Sequence, residues 1–147
     1  FAGPLFAQEP VVAAAEHSHL LQSDDPQLAK NKQLVYDFWR VVFEAGHLDK
    51  ADQYLAESYI QHNPNVPTGR KGFVDFFAKF KKTSPIQQTV QMPLVSIVAE
   101  RDLVVFSFVS EGKDPQDPEK TYTTTWFDMF RIQDGKIIEH WDPMRKS

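Results

Sequence analysis

The sequence predicts an α+β domain in which helices precede an antiparallel β-sheet. Apolar residues recur at helical spacing between residues 26 and 46 and again between 70 and 82. From Gln88 onward the pattern changes to β-rich runs separated by turn residues. Helices grouped before a meander are typical of a helical layer on one face of a curved sheet. With 147 residues, the chain is long enough for one domain with a substantial core.

The composition narrows the classes of partner. Hydrophobic residues make up 41% of the chain and charged residues 24%, and the 12 phenylalanines predict a large aromatic core or an apolar pocket. The net charge of -4 gives no reason to expect nucleic acid or an anionic membrane as partner. The absence of cysteine excludes disulfides and thiolate chemistry, and no apolar run is long enough to span a bilayer.

The first 25 residues are predicted to form a flexible segment before a single domain at 26–147, because they lack an amphipathic period. Residues 1–7 resemble the end of a secretory signal peptide that is cleaved after Ala7, and an ordinary disordered terminus explains them equally well. The sequence therefore leaves an exported and a cytoplasmic location equally open.

Three helices are expected before the sheet. The first begins at the capping residue Asp25, which is followed by proline, and ends at Gly46. A short second helix covers Leu48–Leu55. A short strand and a Pro- and Asn-rich loop follow at 58–69, and a third, Phe-rich helix covers Arg70–Lys82. The sheet then continues with strands at 89–100 and 103–111, a polar loop, and a closing hairpin.

The register of the closing hairpin decides which side chains share a face. Its turn contains Asp134-Gly135. A two-residue turn would pair Met129 with His140, whereas a three-residue loop would pair Asp128 with His140 and Trp126 with Asp142. We favour the second register because it predicts one coherent face, with Arg131 and Glu139 on the other. That face consists of Trp126, Asp128, Phe130, Ile132, Ile138, His140 and Asp142.

Two carboxylates and an imidazole among aromatic side chains predict a chemical site, because desolvating ionisable groups is costly. His140 and Asp142 lie two apart on one strand and are suited to act as an acid/base pair. The alternative is an ion pair at a strand end, which Pro143 favours. Asp128, if buried, would have a raised pKa and would donate a proton to an enolate oxygen. Its alternative is a structural carboxylate.

His62, directly before Asn63-Pro64, is the fourth catalytic candidate, as a general base or a hydrogen-bond donor to a carbonyl. Its alternative is a turn histidine bonded to backbone. The residues predicted to contact substrate are Tyr59, Trp126, Asn63 and Phe130, with plain core packing as the alternative for the two large aromatics. The acidic and histidine residues lack diagnostic metal-ligand spacing, so no metal and no other cofactor is expected.

Two stretches carry a family resemblance: Tyr59–Pro64 with the Gly69–Phe73 run, and the closing segment Asp134–Asp142. With the order of elements, they make residues 26–146 similar to the SnoaL-like branch of the nuclear transport factor 2-like superfamily. The resemblance implies a cone, in which a curved antiparallel sheet and about three helices enclose an apolar pocket.

The resemblance also implies chemistry. In the polyketide cyclases of this branch a closing His-x-Asp supplies acid and base for an aldol closure, and His140 and Asp142 match that motif. Those cyclases commonly carry a histidine where this chain has Asp128. In the related ketosteroid isomerases an aspartic acid in a similar strand context donates to the dienolate oxygen, which resembles Asp128. The superfamily also contains binding modules, so fold alone does not decide function.

The leading expectation is a cofactor-free acid/base enzyme of aldol, isomerase or lyase type, acting next to a carbonyl in a small apolar molecule. The alternatives are a non-catalytic small-molecule-binding module and, less favoured, an epoxide hydrolase in which Asp128 and Asp142 activate water. A homodimer is also expected. In the favoured register, the outer face of the closing hairpin carries Phe127, Met129 and Trp141, a patch of the kind that marks interfaces.

Overall fold

A five-stranded sheet with the order β1-β5-β4-β3-β2 organises the structure, a computed structural model that describes residues 8–147. The strands are β1 (Leu55–Gln61), β2 (Leu94–Glu100), β3 (Leu103–Lys113), β4 (Thr121–Gln133) and β5 (Lys136–Trp141). β1 pairs with β5 in parallel, and the other neighbours are antiparallel. The α+β class, with helices on a curved sheet, is therefore confirmed. The sheet was expected to be antiparallel throughout, but its edge strand β1 is parallel to β5.

The first long helix begins where the sequence predicts. In α1 (Pro26–Phe38) the Asp25 carboxylate accepts hydrogen bonds from the amides of Gln27 and Leu28, which satisfies two donors of the first turn. The chain continues as a π-helical segment at Trp39–Glu44 and leaves the helix at Gly46. Gly46 has φ 73°, and a Cβ there would lie 2.7 Å from the carbonyl oxygen of Lys82. Only glycine fits this position without displacing backbone.

The remaining helices are shorter than predicted. The second is a 3₁₀ helix at Leu48–Gln53, because β1 already begins at Leu55. The third, α2 (Arg70–Ala78), ends before Phe80. A further 3₁₀ turn covers Ser18–Leu21. Within residues 8–147, no helix is long and apolar enough to cross a membrane.

The predicted strand at 89–100 begins only at Leu94. Pro93 lacks an amide hydrogen for the sheet, and the residues before it find side-chain partners instead. The Val90 amide donates to the Tyr36 hydroxyl, and the Gln91 amide donates to the Glu44 carboxylate. These hydrogen bonds attach the segment before β2 to α1 and to the π-helical segment that follows it.

The closing hairpin begins in the register of the two-residue turn and then leaves it, so the favoured three-residue loop is wrong. Its turn has two central residues, Asp134 and Gly135, both at positive φ (50° and 70°), and Gln133 pairs with Lys136. A bulge follows at Ile138. Ile132 pairs with Ile137, and the next residue of β4, Arg131, pairs with Glu139, so Ile138 has no partner in the register. From there Phe130 pairs with His140.

The bulge preserves most of the predicted face. The true register differs from the favoured one by two residues, and an even shift keeps each side chain on its side of the sheet. Asp128, Phe130 and His140 are buried on the inner face as predicted, whereas Ile137, fully buried, takes the place expected for Ile138.

The segment before α1 lies along the fold at residues 8–25. The Val11 amide donates to the Thr123 hydroxyl, the Ala14 amide donates to the Leu94 carbonyl, and the His17 ring contacts the Tyr36 hydroxyl. The cleavage site predicted within residues 1–7 lies outside the described residues. The domain boundary at residue 25 stays a prediction.

Candidate active site

A cavity of about 360 Å³ lies between the helices and the inner face of the sheet. Its roof is aromatic and comes from α1, the π-helical segment that follows it, and α2. Its floor comes from β1, β4 and β5. The roof residues are Phe38, Trp39, Phe43, Phe73, Phe76 and Phe77. This one cavity, beneath α1 and α2, is lined by Asp128, His140 and Asp142, which the sequence predicts to share a face.

His140 and Asp128 form the buried centre of the site. His140 Nε2 lies 2.7 Å from Asp128 Oδ1, and the two residues are 7% and 4% exposed. Phe130 packs on the imidazole with ring centroids 4.9 Å apart. The second carboxyl oxygen, Asp128 Oδ2, is buried and has no hydrogen-bond partner among the described residues. One oxygen of Asp128 is therefore engaged by His140, and a contact with the Trp126 side chain also favours the charged carboxylate.

The pKa of Asp128 is raised above its ordinary value. Burial among apolar side chains is the main cause, the contact with His140 opposes it, and the nearby charge of Asp142 adds to it. Burial, followed by the charges of Asp128 and Asp142, likewise raises the pKa of Tyr59, so its hydroxyl stays protonated. The site thus favours neutral, proton-donating forms of these two groups.

Asp142 is held differently from Asp128. Its Oδ2 accepts a hydrogen bond of 2.8 Å from the Asn63 side-chain amide, and its Oδ1 accepts one of 2.9 Å from the Met144 amide. The His140 Nε2 atom is 3.9 Å from Asp142 Oδ2, beyond hydrogen-bond distance. Asp142 therefore keeps lone pairs that are free to accept a proton from a molecule in the cavity.

Gln61 belongs to the site, and sequence analysis missed it. Its Oε1 lies 2.7 Å from His140 Nδ1 and accepts the Asn63 amide at 2.9 Å. Its Nε2 donates to the Tyr59 hydroxyl at 3.0 Å. A signal was present, since Tyr59 and Gln61 lie two apart on one strand and so share a face.

The same alternation corrects the placement of His62. It was predicted to be a catalytic residue, but the structure places it on the outer face of the sheet, because Gln61 points inward. Its Nε2 lies 2.8 Å from Glu139 Oε2, and its ring stacks on Trp141 with centroids 5.1 Å apart. In this position His62 cannot contact a molecule in the cavity.

The residues predicted to contact substrate all line the cavity: Tyr59, Trp126, Asn63 and Phe130. Asp128, His140 and Asp142 also bring potential metal ligands within 4.8 Å of one another. Because His140 Nε2 lies at hydrogen-bond distance from Asp128 Oδ1, an ion could bind this nitrogen only after the proton between the two atoms is lost.

A curved sheet under helices, with acids and an imidazole facing an apolar pocket, defines the chain as a nuclear transport factor 2-like protein. More narrowly, it belongs to the SnoaL-like domain family, whose sequence model matches residues 35–140. No curated protein matches the sequence.

Solved structures with the same fold are distant in sequence. A candidate polyketide cyclase from Acidithiobacillus ferrooxidans superposes with a TM-score of 0.55 at 18% identity, over 82% of this chain and 89% of the other. A candidate SnoaL-like polyketide cyclase from Jannaschia superposes with a TM-score of 0.55 at 16% identity, over 83% of this chain and 91% of the other. An LEH-like epoxide hydrolase from M. tuberculosis superposes with a TM-score of 0.56 at 13% identity, over 80% of this chain and 84% of the other. At these identities the likeness establishes the fold alone.

Proposed function

We propose that the cavity binds a small apolar carbonyl compound and catalyses proton transfer at the carbon next to the carbonyl, without a cofactor. Aldol, isomerase and lyase reactions all begin with this step. The observation that carries the proposal is the cluster of Asp128, His140 and Asp142 on the wall of a cavity that is lined mainly by aromatic and other apolar side chains.

Asp142 is the base in this proposal. Its two hydrogen bonds come from neutral donors, Asn63 and the Met144 amide, which orient the carboxylate and leave it able to accept a carbon-bound proton.

The Asp128–His140 pair is the acid. As the proton leaves carbon, negative charge develops on the carbonyl oxygen, and a donor placed there stabilises the enolate. The raised pKa of Asp128 favours its protonated form, which can donate a hydrogen bond to that oxygen. His140 contacts one oxygen of Asp128 and so orients the acid, but at 3.9 Å from Asp142 it is too far to exchange a proton with the base directly. His62 has no part in this scheme.

Hydrogen–deuterium exchange tests the proposal directly. Wild-type protein is incubated in D₂O with a panel of cyclic ketones and β-dicarbonyl compounds small enough for the cavity, and deuterium at the α-carbon is measured by mass spectrometry. We expect exchange with wild type and none above background with Asp142→Asn. Ligand-induced thermal stabilisation without exchange across the panel would instead indicate a binding module.

The epoxide alternative has its own readout. Asp142, oriented by Asn63, is also placed to hold a water molecule, and Asp128 would then protonate the epoxide oxygen. Apolar epoxides incubated in ¹⁸O-water would yield labelled diols, with no exchange at the carbon acids. That result would replace carbon-acid chemistry by hydration.

A further inference from the structure

We propose that Gln61 is a positioning residue that holds His140 as the Nδ1–H tautomer, so that His140 Nε2 and Asp128 share one transferable proton. The inference deepens the proposed function and rests on it for its catalytic meaning. The tautomer itself is a property of the resting protein and can be measured without a substrate.

The first step of the argument is the orientation of the Gln61 amide. The backbone amide of Asn63 lies 2.9 Å from Gln61 Oε1. A backbone N–H can only donate, so the atom that faces it must be the oxygen of the side-chain amide. The opposite orientation would set two donors against each other. The Gln61 nitrogen then faces the Tyr59 hydroxyl, which accepts its hydrogen bond.

The second step is the protonation of His140 Nδ1. This nitrogen lies 2.7 Å from the same Gln61 oxygen. A carbonyl oxygen can only accept, so Nδ1 carries a hydrogen in both the neutral and the charged ring. In the neutral ring Nε2 then holds the lone pair.

The third step counts the protons between His140 and Asp128. Nε2 and Oδ1 are 2.7 Å apart, which requires one proton between them. That proton is either on a neutral Asp128 or on an imidazolium beside a carboxylate, and removing it would set two lone pairs against each other. The other titratable groups that face the pair are Asp142, directly after β5, and Tyr59 on β1. Neither offers a second proton at hydrogen-bond distance from Nε2.

This count balances the enolisation step. Before it, Asp142 is charged and the Asp128–His140 pair is neutral overall. The C–H bond breaks and its proton binds Asp142, while the shared proton forms the O–H bond of the enol. The pair is left with one negative charge and with two lone pairs facing each other until a proton returns. The site carries a net charge of minus one on both sides of the step, so no charge enters or leaves the buried cavity.

Nitrogen-15 spectra of histidine-labelled protein test the inference. Long-range proton–nitrogen correlation identifies which ring nitrogen is protonated, and a His140→Gln sample assigns the His140 signals among the five histidines. Three variants are compared with wild type. Gln61→Met removes the acceptor at similar length, Gln61→Glu keeps an acceptor, and Gln33→Met is a surface control on α1.

We expect a protonated Nδ1 in wild type, Gln61→Glu and Gln33→Met, with Nε2 either bare or in an imidazolium. In Gln61→Met the neutral ring should switch to Nε2–H, because Asp128 is then its remaining acceptor. With a substrate in hand, Gln61→Met should lower kcat about tenfold or more with little change in KM.

A wild-type His140 with a bare Nδ1 would overturn the inference, even if Gln61→Met fails to fold. An unchanged tautomer in a folded Gln61→Met would overturn it as well. The absence of any turnover would count against the proposed function only, because the tautomer is read without substrate.

Discussion

His140 Nε2 and Asp128 Oδ1 lie 2.7 Å apart in an interior where neither residue is more than 7% exposed. Burying two ionisable side chains side by side costs free energy that an apolar pair would not. The second oxygen of Asp128 makes no hydrogen bond among the described residues, which adds to that cost. A protein selected for stability alone would not keep this arrangement, so it is best explained by function.

Asp142→Asn should abolish turnover. The side chain keeps its size but can no longer accept a proton from carbon, and loss of a positioned base lowers the rate by roughly a hundredfold or more. Asparagine has one acceptor oxygen where Asp142 uses two, so the free energy of unfolding should fall by about 1 kcal/mol. Deuterium exchange measures the first effect and urea denaturation the second. Asp52→Asn is the exposed control, and a normal rate in Asp142→Asn would contradict the mechanism.

Asp128→Asn should stabilise the fold at neutral pH while reducing turnover. The pKa of Asp128 is raised in the folded state, so wild type loses stability as pH increases from the ordinary carboxyl value through the folded one. Asparagine never ionises, and its amide can donate to the bare His140 Nε2. We expect a gain of about 1 kcal/mol at pH 8 that shrinks toward pH 4.

Urea denaturation at the two pH values measures this difference. A variant that is equally destabilised at both would show that Asp128 is a structural carboxylate, which is the alternative the sequence left open.

His62→Gln should leave turnover within about twofold of wild type. The ring lies on the outer face, where it stacks on Trp141 and contacts Glu139, so its loss does not change the cavity. The pKa of Glu139, lowered chiefly by the His62 hydrogen bond, should move toward its ordinary value. Exchange kinetics test the first expectation and carboxyl NMR titration the second. A large loss of rate would require His62 to reach the substrate by a movement of the loop after β1.

The homodimer remains a proposal, in which the outer sheet faces of two copies pack together. Phe127, Ile60 and Val98 are about half exposed on this face, although Trp141 is partly covered by the His62 and Arg131 side chains. The alternative to a dimer is a monomer in which the amino-terminal segment folds back and covers Trp141. Its hydrogen bond to Thr123 instead holds Val11 near the other end of β4, since Trp141 pairs with Met129.

Light scattering at micromolar concentration decides the assembly. We expect a dimer for wild type and a monomer for Phe127→Glu, with Glu57→Gln as the exposed control. A monomeric wild type that is unchanged by deleting the residues before Asp25 would rule out both arrangements.

The sequence by itself determined the class of fold, the cap of α1, the position of the closing turn and the grouping of Asp128, His140 and Asp142. These depend on local chemistry and on the alternation of side chains along a strand, which residue types reveal. The grouping of the three ionisable residues survived a wrong register because the error was an even number of residues.

Only the tertiary structure decided what surrounds that group. β1 pairs with β5 across about eighty residues of chain, which brings Gln61 to His140 and Asn63 to Asp142 while turning His62 away. Contacts between distant segments likewise decide three further features: the bulge at Ile138, the late start of β2 and the covering of Trp141. A single strand's pattern fixes which residues share a face, but the partner strand fixes which atoms meet, and the chemistry of His140 depends on those atoms.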